Sequence, residues 1–266
     1  SEGSETFYEN NFSFLATVRK DDLISKLGGF VTFGGNIMQQ KRTKMNASAG
    51  TLLVPDLFDV NNGVDKPSIT SSLTQRKMNS LYGSLQLNWD GWLFLDVTAR
   101  NDWSSTMSKE NRSYFYPSVA GSVVLSQFIP MPEVIDFWKV RGAWTQTKSD
   151  LGVYDTNNTY SVSTDLWNGE SAAYYPTSIR GVAVKPSATR SYEIGTAIHM
   201  FKNRLKLDFT YYNKLYYNLT RSAGISNSSG FTSTLINIDE EYVGRGVELT
   251  LSGDIIRTRD LKWESS

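Results

Sequence analysis

The segment 149–188 holds the residues best suited to contact a ligand. Its aromatic side chains stand among asparagine, serine and threonine: Tyr154, Tyr160, Trp167, Tyr174 and Tyr175. Aromatic rings with polar neighbours can stack against sugar or peptide groups while the neighbours hydrogen-bond to them. We therefore predict a substrate-binding role for Trp167, Tyr174 and Tyr175. The alternative is that these rings pack within their own segment or against a partner.

Residues for bond-making chemistry are sparse. His199 is the only histidine and the chain has no cysteine. A histidine metal cluster and a thiolate metal site are therefore excluded, and a catalytic triad would have to use His199. No Gly-x-Ser-x-Gly motif accompanies it. We predict that the chain is not an enzyme and has no catalytic or metal-binding residues.

Two short motifs resemble ligand-binding loops without completing them. Gly244-Arg245-Gly246 lacks a third glycine and opens a strand rather than a helix, which favours a backbone bend over a nucleotide site. Segment 59–65 has oxygen-bearing side chains at alternate positions but lacks the later glutamate of a calcium loop. A turn-rich loop is favoured there, with calcium as the alternative. We expect no cofactor.

The net charge also limits which classes of partner are expected. The 27 basic residues balance the 27 acidic ones, so nothing indicates a nucleic-acid partner. No apolar run approaches the roughly 20 residues of a membrane-spanning helix. Aromatic residues make up 13% of the chain, which suits either the aromatic girdles of a membrane barrel or a carbohydrate-binding sandwich.

The elements that position these residues are predicted to be long strands. Segment 81–100 alternates apolar and polar residues on both sides of Asp90-Gly91. That dipeptide favours a two-residue hairpin turn, because both central positions need a positive φ. Similar alternation predicts strands near 7–20, 26–42, 74–90, 92–104, 114–127, 137–148, 189–201, 204–221 and 242–254, with a last one from about 261.

The strands have the pattern of a membrane-spanning β-barrel. Each apolar stripe spans about 9 to 11 residues, the length of a tilted strand that crosses a bilayer. The opposite faces carry ionisable residues such as Asp96, Arg141 and Glu248, which cost little in a wet lumen. A soluble two-sheet sandwich explains the alternation equally well but not the strand length, since soluble strands usually run about 5 to 6 residues.

The predicted connections alternate between short and long, as an up-and-down barrel requires. Short turns are predicted at Asp21-Asp22, Asp90-Gly91 and Lys202-Asn203, with intermediate ones at 129–132 and 257–260. Long loops rich in serine, threonine, asparagine and glycine are predicted at 43–73, 104–113, 149–188 and 222–241. We therefore predict an all-β, antiparallel, up-and-down transmembrane barrel whose outer face meets the lipid bilayer.

An ordered set of motifs resembles the SusC/RagA family of TonB-dependent outer-membrane transporters. The motifs, spread over about 81–266, are Arg100-Asn101-Asp102-Trp103-Ser104-Ser105, Tyr114-Phe115-Tyr116-Pro117-Ser118-Val119, the strand 138–144, the Pro-bearing run 184–195 that ends in Glu193-Ile194-Gly195, the strand 203–213 and Gly244-Arg245-Gly246-Val247-Glu248-Leu249. Residues 1–80 fit as earlier barrel strands without a sharp motif. The resemblance rests on the order and spacing of the whole set.

The resemblance implies a barrel of about 22 strands, preceded by a plug domain, a TonB-contacting segment and usually a small N-terminal extension. None of these is recognisable in the chain. We therefore expect residues 1–266 to form one partial barrel domain of roughly ten strands, with a complete ten-stranded barrel as the alternative.

The resemblance also implies a function and a location. It implies TonB-dependent active import of a glycan or peptide nutrient across the outer membrane of a Gram-negative bacterium, together with a SusD-like surface lipoprotein. TonB would act through the missing plug. The alternatives are a passive or adhesive barrel, a soluble carbohydrate-binding β-sandwich and, least supported by the residues, a barrel enzyme.

Overall fold

The fold consists almost entirely of strands. The computed structural model describes residues 1–163, 168–181, 183–257 and 262–265. Its strands are β1 (Glu2–Ile24), β2 (Leu27–Ser48), β3 (Ser68–Trp89), β4 (Leu93–Ser104), β5 (Ser113–Val124), β6 (Ile135–Ser149), β7 (Ser161–Val162), β8 (Ala173–Tyr174), β9 (Ser178–Ile179), β10 (Ser187–Met200), β11 (Leu205–Tyr217), β12 (Thr220–Gly224), β13 (Ser233–Asn237), β14 (Tyr242–Arg257) and β15 (Lys262–Ser265). Among these residues, no helix has the length and apolarity needed to cross a membrane.

The long strands form one antiparallel sheet in which each strand pairs with the next long strand of the chain. Within the described residues the sheet has ten strands in the order β1-β2-β3-β4-β5-β6-β10-β11-β14-β15. The all-β, up-and-down architecture is therefore confirmed. A soluble sandwich would need two facing sheets, whereas the long strands here form a single open one.

The register places most of the apolar residues of the long strands on one face. Val31 on β2 lies opposite Val18 on β1 and Leu85 on β3, and the same alignment continues to Phe209 opposite Leu249 on β11 and β14. Side chains that are directly opposite in a sheet point to the same side. Val18 is 73% exposed and Leu249 65% exposed. This continuous, uncovered apolar face is the outer face of the barrel wall, and the alternate residues form the inner face.

Two of the predicted turns are confirmed. Asp90 and Gly91 have φ values of 49° and 74°, and the Trp92 N–H donates to the Trp89 carbonyl at 3.1 Å. Lys202 and Asn203 also take left-handed conformations between β10 and β11. Aspartate, asparagine and glycine favour a positive φ, whereas Phe201 and Lys202 adopt one in this turn without that intrinsic preference.

The turn predicted at Asp21-Asp22 is wrong. β1 continues to Ile24, and the positive φ values fall at Ser25 and Lys26. The register shifts between Lys20 and Ile24, so the two aspartates lie in an irregularity of the strand rather than in its turn. The Lys26 Nζ lies 2.7 Å from an Asp90 carboxylate oxygen, which joins this turn to the neighbouring hairpin.

The first three strands are longer than predicted. They contain 23, 22 and 22 residues, whereas about ten suffice to cross a bilayer. The loop between β2 and β3 is consequently 49–67 instead of 43–73. The added residues are polar and paired across the strands: Lys44 and Arg42 both lie within 3.3 Å of the Glu5 carboxylate. Most of the predicted turn 257–260 lies outside the described residues.

Candidate functional site

The long connections gather at one end of the sheet. Because the strands alternate in direction, loops 49–67, 105–112, 150–186 and 218–241 share one end, and the short turns share the other. In outer-membrane barrels the long loops are extracellular and the short turns periplasmic. We call the first end the loop end.

The motif at residues 100–105 forms a hydrogen-bond network at the loop end, centred on the buried Asp102. Arg100 Nε donates to the Asp102 carboxylate at 2.8 Å, and the Tyr116 hydroxyl donates to its other oxygen at 2.6 Å. Arg100 also donates to the Ser80 hydroxyl at 3.0 Å. Asp102 is only 4% exposed, so these charge-assisted bonds compensate for its desolvation. This hydrogen-bond network joins β3, β4 and β5.

A second carboxylate anchors the longest loop to the wall. The Arg76 Nη2 lies 2.9 Å from both oxygens of Asp150, the first residue after β6. The Thr106 hydroxyl donates to Asp150 at 2.8 Å, and Ser104 donates to the same carboxylate. Sequence reasoning missed this anchor, because a single aspartate after a strand carries no signal for a partner 74 residues away.

Loops 150–186 and 218–241 are joined into one unit. β9 of the first loop pairs in parallel with β13 of the second, and the Thr232 N–H donates to the Thr177 carbonyl at 2.8 Å. The Asn237 side chain accepts from the Lys185 N–H at 2.7 Å and donates to the Lys185 carbonyl at 3.0 Å. The two loops therefore present their side chains as a common surface.

Two of the three predicted binding residues, Tyr174 and Tyr175, lie on this joined surface. Tyr175 makes edge-to-face contacts with Tyr160, at a centroid distance of 4.6 Å, and with Phe231 of the other loop, at 5.8 Å. We call these three residues the aromatic cluster. Tyr174 lies next to it in β8 and is 57% exposed. Trp167 lies outside the described residues.

The aromatic cluster remains open to solvent although its rings touch. Tyr160 and Tyr175 are 61% and 60% exposed. A hydrogen bond to Tyr175 raises the pKa of the Tyr160 hydroxyl. Like any tyrosine hydroxyl, it is protonated at neutral pH and can donate a hydrogen bond. Sequence reasoning missed Phe231. A lone phenylalanine in the polar segment 226–234 was the available signal.

The inner face of the wall carries an ion pair that crosses an intervening strand. Arg141 on β6 reaches over β10 to Asp208 on β11, with nitrogen–oxygen distances of 2.9 and 2.6 Å. Gly195 of the Glu-x-Gly motif lies beneath it, and a Cβ there would come within 2.9–3.1 Å of the guanidinium group. The motif glycine thus leaves room for the arginine to cross.

His199 lies two residues beyond the level of Asp208 on the same face, beside the turn after β10. Its Nδ1 is 3.1 Å from the Asn203 side-chain oxygen, and its ring contacts Phe137 at a centroid distance of 4.9 Å. It therefore occupies the inner face near the short-turn end, as its position in the alternation indicates.

The predicted turn-rich loop at 59–65 has an internal framework built on Asn62. The Asn62 side chain donates to the carbonyls of Val54 and Leu57 at 2.8 and 2.7 Å and accepts from the Val54 N–H at 3.1 Å. Across the described residues, no group of three or more His, Asp or Glu side chains could hold a metal. The expectation of no cofactor, with calcium as the alternative, stays a prediction.

The fold and its loop end define the class of protein: an antiparallel membrane-barrel wall with extracellular loops. Residues 2–266 match the family model described as "TonB dependent receptor-like, beta-barrel". The chain belongs to this family, which confirms the resemblance and places the protein in the outer membrane of Gram-negative bacteria. The family consists of receptors and transporters, which agrees with the prediction that the chain is not an enzyme.

Two relatives from Formosa agariphila support the assignment. The chain is 25% identical to TonB-dependent receptor P3 over 201 residues, covering 74% of the chain and 20% of the relative. It is 24% identical to TonB-dependent receptor P26 over 273 residues, covering 97% and 26%. The chain thus spans about a fifth to a quarter of the length of these relatives.

Solved structures show the same fold. The RagAB peptide importer in the "open-open" state matches with a TM-score of 0.85 at 18% identity, covering 98% of the chain and 29% of the matched one. The ferric enterobactin receptor PfeA of Pseudomonas aeruginosa matches with a TM-score of 0.60 at 15% identity, covering 98% and 35%.

Proposed function

We propose that this chain forms part of the wall and outer loops of a larger barrel that actively imports a glycan or peptide nutrient. In this proposal a SusD-like surface lipoprotein captures the nutrient together with the outer loops, and TonB supplies energy through a plug domain. The chain requires no cofactor and carries out no bond chemistry. Its wall provides a lipid-matched outer face and a hydrated inner face.

The observation that carries the proposal is the aromatic cluster with Tyr174 beside it. Exposed rings held in place by paired loops offer flat apolar surfaces at low entropic cost. Loop 150–186 also carries polar groups, among them the Ser178 hydroxyl on β9 and the Asn158 side-chain amide. This chemistry suits a sugar or an extended peptide, and we assign Trp167, Tyr174 and Tyr175 as its contacts. The likeness to a peptide importer favours the peptide class without excluding glycans.

The test is uptake by cells that carry the intact receptor with Trp167, Tyr174 and Tyr175 all changed to alanine. We expect uptake of the nutrient and its affinity for the receptor to fall about tenfold or more, as loss of two or three stacking contacts implies. The control is Tyr192→Ala, which removes an exposed ring from the outer face of β10. Unchanged uptake and affinity in the triple variant would remove the assignment of these three residues.

Energy dependence separates an importer from a passive barrel. An uncoupler that collapses the proton gradient of the inner membrane should stop uptake by the wild-type receptor. Uptake that continues at the same rate would support the passive alternative.

A further inference from the structure

The part of β3 nearest the loop end has a free edge, because β4 does not pair with it on the side away from β2. β3 pairs with β2 from Ser68 onward, but its pairing with β4 covers only Met78 to Trp89. β4 ends at Ser104 and the chain turns back through loop 105–112. This edge therefore results from the different lengths of two consecutive strands and lies well inside the chain.

The backbone groups at this edge point away from β2. The N–H of Lys77 donates to the Ser105 hydroxyl at 2.8 Å, and the N–H of Gln75 donates to the Tyr154 hydroxyl at 3.1 Å. Alternate residues along a strand direct these groups to the same side, so Leu73, Ser71 and Ile69 continue the row. Among the described residues, no group pairs with their backbone on that side.

The edge also lacks the usual protection against strand addition. Residues 68–75 (Ser-Ile-Thr-Ser-Ser-Leu-Thr-Gln) contain no charge, proline or glycine. Natural proteins normally block exposed edges with such residues or with a bulge. Ile69 and Leu73 are 69% and 47% exposed, and they point to the outer face, away from the lumen.

A cavity of about 500 Å³ lies beside Gln75 and Lys77, where the free edge ends and the pairing of β3 with β4 begins. It is lined by Gln39, Lys41, Gln75, Lys77, Tyr154 and Asn157, among others. The two lysine ammonium groups form no ion pair with any residue that the structure describes. The cavity would therefore receive an acidic side chain from whatever occupies the edge.

We infer that residues 69–73 of β3 are a docking edge that takes an extended segment of a partner protein as an added strand. That segment has apolar side chains at alternate positions, matched to Ile69 and Leu73, and a carboxylate beside Lys77. Backbone hydrogen bonds supply affinity and the alternate side chains supply specificity, as in other cases of strand addition.

Two other occupants fit less well. A second copy related by a two-fold axis would pair antiparallel, which would turn its barrel upside down in the same membrane. A nutrient on its way through the lumen would not cover Ile69 and Leu73, because these side chains face outward. The inference is independent of the proposed nutrient.

Amide exchange and peptide binding test the inference on the intact receptor in detergent. The amides of Ile69, Ser71 and Leu73 should exchange rapidly in the receptor alone, since nothing protects them. The binding probe is a short peptide in which valine and threonine alternate and which ends in glutamate. We expect it to bind and to slow exchange at those three amides. Its analogue with N-methyl groups at alternate positions should not bind.

Variants of the receptor make the test specific. Ser71→Pro removes the Ser71 N–H from the free edge and leaves the hydrogen bonds between β3 and β2 in place. Lys77→Glu places a negative charge that repels the glutamate of the peptide. Each should weaken peptide binding about tenfold or more, whereas Ser71→Ala keeps the N–H and should bind as the wild type does. Three results would overturn the inference: protected edge amides in the receptor alone, no binding to the wild type, or equal binding to Ser71→Pro.

Discussion

Single side chains organise the loops of this protein through local hydrogen bonds. Asn62 is the clearest case. Its side-chain amide hydrogen-bonds to the backbone of Val54 and Leu57 inside loop 49–67, as a neighbouring strand would. It is 8% exposed. Leaving its partners unsatisfied after truncation should cost about 1–3 kcal/mol. The neighbouring Asn61 has an exposed side chain.

We therefore predict that Asn62→Ala loosens loop 49–67 while Asn61→Ala does not. Phe58 lies in this loop and is 83% exposed, so chymotrypsin cleavage after it reports local opening. When opening is fast relative to cleavage, the cleavage rate follows the equilibrium population of the open loop. Cleavage of Asn62→Ala should be roughly 5- to 150-fold faster than wild type, as the cost above implies. Equal rates in the two variants would show that Asn62 does not hold the loop.

Sequence reasoning at the residue scale found positions with intrinsic turn preferences and missed distant partners. Asp90-Gly91 was predicted correctly because the dipeptide itself favours a positive φ. Ser25-Lys26 carries no such preference, whereas Asp21-Asp22 does. The ion pair between Arg76 and Asp150 depends on how two distant strands lie in the sheet, which no local pattern specifies.

At the scale of elements, the loop end is ordered by anchors between strands and loops. Asp150 fixes the start of loop 150–186 against β3 and loop 105–112. Its side chain is 12% exposed and that of Arg76 27% exposed, so the pair is shielded more than a surface ion pair. Removing one member leaves the other with an uncompensated charge.

We expect Asp150→Asn to release the start of loop 150–186 without unfolding the sheet. The amide group keeps the shape but loses the charge-assisted bonds, a local cost of about 1–3 kcal/mol. Amide exchange in residues 150–157 and 104–107 should rise accordingly, and exchange in β10 and β11 should stay unchanged. The matched control is Asp155→Asn, whose carboxylate makes one 3.4 Å contact with Arg180.

Asp150→Asn also bears on the docking edge, because Tyr154 of the same loop accepts from the Gln75 N–H. Exchange at Gln75 should therefore increase in the variant. Unaltered exchange throughout 150–157 would mean that the loop is held by other contacts, such as the pairing of β9 with β13.

The extent of the elements was predicted less well than their existence. Alternation located every long strand of the sheet, because one face must be apolar wherever it meets lipid. It failed at the loop-end parts of β1 and β2, where both faces are largely polar, and at that of β3, where only Ile69 and Leu73 stand in a polar run. The ladder continues regularly through all three parts. Residues 2–6 and 43–48 have no alternation to detect, yet their backbones pair as regularly as the rest.

For the whole molecule, the division into an apolar outer face and a polar inner face underlies every other conclusion. The register aligns largely apolar rows across the strands from β1 to β14, and Val18, Val31, Leu85, Val97 and Val119 form one of them. In a soluble protein so large an exposed apolar surface would cause association. In a membrane barrel the same surface meets the acyl chains, and the alternate residues border water.

Spin labels at alternate positions of β11 and β14 should separate these two environments in the assembled receptor. We expect high collision rates with oxygen and low rates with a water-soluble nickel chelate at the outer-face sites, and the reverse at the inner-face sites. The outer-face sites are Leu207, Phe209, Leu249 and Leu251, and the inner-face sites are Lys206 and Thr250. If the four outer-face labels reported bulk water, the apolar rows would not be a lipid-facing surface, and the placement of the loops outside the membrane would have no basis.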